Sequence, residues 1–313
     1  MRRRRDVRGA RPRPPACAIK SLILFGPIRV ARHPDLLRAD ARPIIATMKM
    51  ATPSAAFQGR RLDRRALGAA LTRRLEWHRA LHDPEQEPRN GARWLHELRR
   101  WQAARLAGSF EGFMGDPKRR PAAEFFLTDL YGDRDFSRRD ADIARVAPMM
   151  LRLMPQSLVE TLVDAIELGA LSHAFDLRMA ETLGRLAPRR KTLDDALYGE
   201  AYRAVGLPRL RAHQIDLIVV AGVGLGHALR TRGVATLLAM LRGPARAAGF
   251  GELQSFLERG FGAYGKLDDV DDFLADIERS EREISRRLFA GDPRPFAPLP
   301  DAHPPSARRR RGR

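Results

Sequence analysis

The twelve residues Ile215-Asp-Leu-Ile-Val-Val-Ala-Gly-Val-Gly-Leu-Gly226 decide between two fold classes. Read as a β-strand running into a glycine turn, they open a dinucleotide-binding βαβ unit and make the protein α/β. Read as a helix, they are apolar on nearly every side, as a rod buried in a bundle must be. The dinucleotide fingerprint needs Gly-x-Gly-x-x-Gly. Counted from Gly222 and Gly224, its third glycine falls on His227; counted from Gly224 and Gly226, it falls on Leu229. Both registers fail, and no βαβ unit surrounds them. Glycines at every second position suit a helix that approaches its neighbours closely, so the segment is expected to be a central, buried helix.

The flanking sequence agrees. Leu67, Leu71, Leu75, His78 and His82 line one face of a first helix that stops before Pro84. Asn90 is expected to cap a long second helix, with Trp94, Leu98 and Trp101 on one stripe and Leu95, Leu106, Phe110 and Phe113 on another. Three pairs read as capping boxes: Ser137 with Asp140, Ser157 with Glu160 before a helix to Gly184, and Thr192 with Asp195 before one closed by Gly206. Residues 237–241, 253–264 and 269–289 complete the series, and no run alternates as a strand does. The expected fold class is all-α: a multi-helix bundle of about ten helices over residues 56–296. A disordered Arg/Pro-rich extension is expected at 1–55, read either as a basic or targeting arm or, in the favoured reading, as sequence largely preceding a start at Met48 or Met50, and a disordered basic tail is expected at 297–313.

Pro121-Ala-Ala-Glu-Phe-Phe-Leu-Thr-Asp-Leu-Tyr131 is the densest aromatic cluster in an aromatic-poor chain. At 100° per residue, Phe126, Leu127, Leu130 and Tyr131 share one face, and Glu124, Thr128 and Asp129 fall opposite. Phe125 projects between Thr128 and Asp129, so this helix is either sandwiched between two layers or offers Phe125 to a partner. The run Phe125-Phe-Leu-Thr-Asp-Leu-Tyr-Gly132 resembles the signature of the bacterial FFLEELY motif proteins, a group of unknown function. Arg134-Asp-Phe-Ser-Arg-Arg-Asp140 and the helix over 167–176 are also similar to that group, and the resemblance extends over roughly residues 62–296. Thr128 and Asp129 stand where the name pattern has two glutamates. The resemblance brings no catalytic or binding residues with it.

A net charge of +19 points first to nucleic acid, but it sits at the ends. Residues 1–50 carry +10 and residues 301–313 carry +4, which leaves +5 for the 250 residues between them. Of the 57 basic residues only five are lysine, the ratio that GC-rich codon usage writes. Nucleic acid is therefore not expected on the folded part, and the arginine tails offer only nonspecific association. Cys17 is the single cysteine, so a disulfide framework and a cysteine-based zinc site are excluded, and a reducing cytoplasm is expected. No apolar run approaches the ~20 residues of a membrane span.

Two further patterns carry chemistry. His173-Ala-Phe-Asp176 and His213-Gln-Ile-Asp216 each set a histidine and an aspartate on one helical face. Two such inward-facing pairs echo the di-metal carboxylate bundles, with His173, Asp176, His213 and Asp216 as ligands to iron, manganese or zinc. The order reverses the Glu-x-x-His of that class, and Glu160 and Glu167 are expected on the opposite, polar side. The simpler reading is that each pair is a satisfied hydrogen bond in the core, since burying either group alone costs several kcal/mol. His78 and His82 have zincin spacing, but Arg79 stands where that motif needs glutamate. No Gly-x-Ser-x-Gly elbow is present. The leading expectation is a non-enzymatic, cofactor-free helical protein that binds a partner protein or itself through Phe125, Asp129, Trp94 and Trp101. The alternative is a metal-binding bundle or oxidoreductase built on the two His/Asp pairs.

Overall fold

The computed structural model describes residues 63–130 and 142–298, apart from 144, 148, 150 and 153. The expected extension at 1–55, the Ser137/Asp140 cap and all but the first two residues of the expected tail lie outside the described residues. Among the described residues of the unit Phe57–Arg313, ten α-helices with defined bounds follow one another. They are α1 (Arg64–His82), α2 (Leu95–Ser109), α3 (Glu111–Met114), α4 (Arg120–Phe125) and α5 (Gln156–Leu186). Then come α6 (Asp195–Val205), α7 (Pro208–Arg230), α8 (Val234–Ala247), α9 (Gly251–Tyr264) and α10 (Val270–Ala290). Helical backbone also occupies the described part of 142–152, and no strand occurs among the described residues. The all-α fold follows from the 3.6-residue spacing of apolar side chains.

The central rod is α5, not α7. Its 31 residues bury fourteen side chains, because α1 packs on one flank and α7 on the other, while α2 and α6 close its C-terminal half. Trp94, Leu98, Leu177, Leu183, Tyr198 and Leu288 form one cluster of the core, and Leu67, Leu71, Val159 and Ile166 another. α7 is helical as its sequence demands, but it is less enclosed than expected. It is long and apolar enough to cross a membrane by length and composition, and 28% of its most apolar window is buried. Its glycines do permit close contact: a Cβ at Gly224 would lie 2.9 Å from the Thr161 Cβ of α5, and one at Gly222 would press on Leu274 of α10.

The aromatic signature resolves in favour of the sandwich. After α4 the backbone makes a π-helical turn, Phe126–Leu130, which adds a residue to the turn and shifts the faces that a regular wheel assigns. Phe126 enters a third cluster with Phe110, Tyr264 and Phe273. Phe125 lies in the same cluster, 5.4 Å from the Phe256 ring and so close to Gly260 that a Cβ there would come within 2.9 Å.

The caps differ from the expected ones. Asp194, not Thr192, receives the Leu197 amide at the start of α6, and α5 begins after Pro155 with no side-chain cap. Asn90 lies in a 3₁₀ turn, Pro88–Gly91, where its amide donates to the Leu81 and Glu87 carbonyls. The acidic residues at 269–272 act as a helix start, since Asp269 accepts from the Asp271 and Asp272 amides.

Candidate functional site

The first polar cluster forms where the end of α1 meets α5. His78 and His82 sit one turn apart with rings stacked at 4.2 Å, and His82 stacks on His173 at 4.0 Å. Arg99 of α2 donates to His173 Nδ1 at 2.8 Å, and a guanidinium can only donate. Nδ1 is therefore the acceptor, and Nε2–H donates to Asn90 Oδ1 at 2.9 Å and the Leu81 carbonyl at 3.1 Å. The ring is neutral. Burial, with the neighbouring His82 and Arg99, pulls its pKa down to about 3. Asp176, one turn on, accepts from Gln102 at 3.2 Å and lies 3.8 Å from Arg99. So the His173/Asp176 pair is satisfied by α2, Asn90 and the Leu81 carbonyl, and not by itself.

The second cluster joins α1, α5 and α7. Glu167 is buried between Arg74, at 2.8 Å, and His213 Nε2, at 3.1 Å. Its position corrects the expectation of a polar outer face, because both flanks of α5 are covered by helices. Burial pushes the Glu167 carboxyl up, but the hydrogen bond from His213 and the charge of Arg74 outweigh it and hold it below its ordinary value. At Asp164, one turn earlier, the charges of Arg74 and His213 act on the carboxyl in the same sense but are outweighed. Burial and the nearby Glu167 and Glu160 raise it to about 6.

These placements separate the four expected metal ligands. His213 meets α5 at Glu167, six residues before His173, or roughly 9 Å along the helix axis at about 1.5 Å per residue. Metal bonds of about 2 Å do not span that gap. Asp216 turns away to Arg282 of α10, at 2.5 Å. No group of three histidine, cysteine or carboxylate side chains able to hold a metal ion occurs among the described residues.

The expected partner-binding residues turn inward. Trp94 and Phe125 are core, and Asp129 is 5% exposed, held by the Arg259 guanidinium and the Thr128 hydroxyl. Trp101 is half-buried under Tyr198 and Phe296, at 4.2 and 5.4 Å. The misfit of Phe125 marks its contact with α9.

The sequence pattern gives α8 no distinction, and its exposure is the signal that spacing lacks. None of its fourteen residues is buried. Leu237 and, one turn on, Met240 and Leu241 are 54%, 72% and 41% exposed. Residues 230–250 contain Arg230, Arg232, Arg242 and Arg246 and no acid. All four arginines are outside the core, and Arg242 pairs across to Glu258 of α9 at 2.7 Å. An apolar ridge edged with cations is thus left in solvent.

A protein-family model described as Domain of unknown function (DUF8198) matches residues 81–295. No curated protein and no solved structure matches the chain.

Proposed function

We propose, on the premise that this chain belongs to the DUF8198 family, that it is a non-enzymatic cytoplasmic scaffold whose docking face is α8. Within the family, the run Phe125 to Tyr131 supports a place among the bacterial FFLEELY motif proteins. The observation that carries the reading is the uncovered Leu237/Met240/Leu241 ridge, on a helix that buries no side chain where α10 buries six. Exposed apolar patches rimmed by polar groups mark interaction sites. The occupant is an acidic protein segment, an amphipathic helix with carboxylates beside its apolar stripe. A second copy docked isologously sets arginine against arginine, which electrostatic complementarity disfavours.

The test is a photo-reactive residue at position 240 in the living host, with position 286 on α10 as control. One protein adduct, mapped to an acid-rich peptide and lost with Arg242→Glu and Arg246→Glu, supports the proposal. Adducts with a second copy or with lipid, or equal adducts from both positions, refute it.

A further inference from the structure

Arg211 is a buried cation, near the Asp176 carboxylate, whose side-on edge makes no hydrogen bond. Its position follows from the chain. α6 ends at Gly206 with φ +67°, Leu207 takes the left-handed conformation with φ 62°, and Pro208 starts α7 at once. This two-residue corner folds the first turn of α7 back over α6. Arg211, in that first turn, is carried inside: it is 6% exposed, with its guanidinium carbon 3.6 Å from the Phe175 ring centre and 4.5 Å from that of Tyr202. Both aromatic faces lie within cation–π distance of the guanidinium.

Its donors are not matched. Nη1 reaches Gln214 Oε1 at 3.3 Å, a long bond, and Gln214 is itself engaged with Ser172 at 2.8 Å. Nε and Nη2 are buried with no hydrogen-bond partner. Those two nitrogens are the side-on edge of the guanidinium, whose parallel N–H bonds match the two oxygens of a carboxylate or phosphate. The Tyr202 hydroxyl is engaged with Ser285, at 2.9 Å, and Asp176 is held by Gln102 and Arg99. The helix start adds its own positive end to the same place. Even with the Asp176 charge nearby, a buried cation whose bidentate edge makes no hydrogen bond, at the positive end of a helix, is costly.

We propose that the Nε/Nη2 edge of Arg211 is a binding site for one small oxyanion, recognised by two oxygens in the guanidinium plane. Carboxylate and inorganic phosphate share that geometry, and the experiment separates them. The full chain is titrated in chloride buffer of matched ionic strength with phosphate or with acetate, followed by thermal unfolding. The proton–nitrogen NMR signal of the Arg211 Nε–H, assigned by its loss in Arg211→Lys, is recorded in parallel.

The expected result is a saturable rise in melting temperature with one of the two anions and a shift of the Nε–H signal along the same curve. Arg211→Lys keeps the charge and loses the edge, so the apparent affinity falls about tenfold or more. Arg211→Met is expected to be at least as stable as wild type without anion and blind to it. An equal shift in Arg211→Met identifies general salt stabilisation and overturns the site. So does an Nε–H signal that neither anion moves, which leaves the edge to an internal water. The NMR readout needs only the wild-type fold, so a poorly folding Met variant does not rescue the proposal. It is independent of whether α8 docks a partner.

Discussion

α10 and α8 are both amphipathic helices, and only one of them is finished. α10 buries Val270, Phe273, Leu274, Ile277, Ile284 and Leu288. Its outer face pairs with itself, Arg279 with Asp276, Arg282 with Glu278, and Arg286 and Arg287 with Glu283. The hydrogen bonds from Arg286 and Arg287 hold the Glu283 carboxyl down at about 2. α8 has the same apolar spacing but buries nothing, and carries arginines without acids. Apolar spacing therefore says which face of a helix needs cover, and charge balance says whether its other face is self-sufficient. Neither says what supplies the cover.

The contrast is broken most forcefully in the core. Phe273 is fully buried, and Phe273→Ala is expected to cost about 3–5 kcal/mol in urea unfolding. Met240→Ala, at the most exposed point of the α8 ridge, should change stability by less than about 0.5 kcal/mol. Comparable losses at the two positions would mean that α8 is covered within the fold.

Glycines give the same comparison at smaller scale. At Gly224 an added methyl meets Thr161, whose hydroxyl is fixed on the Ser157 carbonyl at 3.0 Å, so Gly224→Ala is expected to destabilise by about 1–3 kcal/mol. Gly243 in α8 has nothing within 4 Å, so Gly243→Ala should raise stability by about 0.5–1 kcal/mol through helix propensity. Denaturant midpoints of the two variants measured side by side check the sign of each.

Much of the fold is legible in the amino-acid sequence alone. The apolar period of α10 and of α1, the failure of the dinucleotide fingerprint and the close-packing glycines of α7 are local properties, and local spacing reports them. What spacing does not carry is the contribution of distant segments. A helical wheel puts Glu167 on a polar face because its partners, Arg74 and His213, lie 93 and 46 residues away. Phe125 looks unpartnered because a π turn and the arrival of α9 are not written in its own eight residues. The His173 and His213 pairs share a motif but reach different depths of α5, which only the packing determines.

Titration gives the sharpest sign. His173 lies below its ordinary value, so between about 3 and 6.5 the unfolded chain holds the extra proton, and the stability from this group is lost as pH falls. Asp164 lies above its ordinary value, so between 3.8 and about 6 the folded protein holds the extra proton, and stability is lost as pH rises. The two oppose one another across that window. Asp164→Asn should make the protein more acid-sensitive than wild type, by up to about 1.4 kcal/mol per pH unit, and His173→Gln should tilt the profile the other way. Unfolding free energy from pH 4 to 6 checks both.

Native-state hydrogen exchange of the isolated protein bears most directly on the claim that α8 awaits a partner. The amides of α8 are expected to exchange through local opening, with little dependence on added urea, while those of α5 and α10 exchange only with global unfolding. If α8 is protected to the same free energy and with the same urea dependence as α10, its apolar ridge is already covered within the chain, and the docking face does not exist.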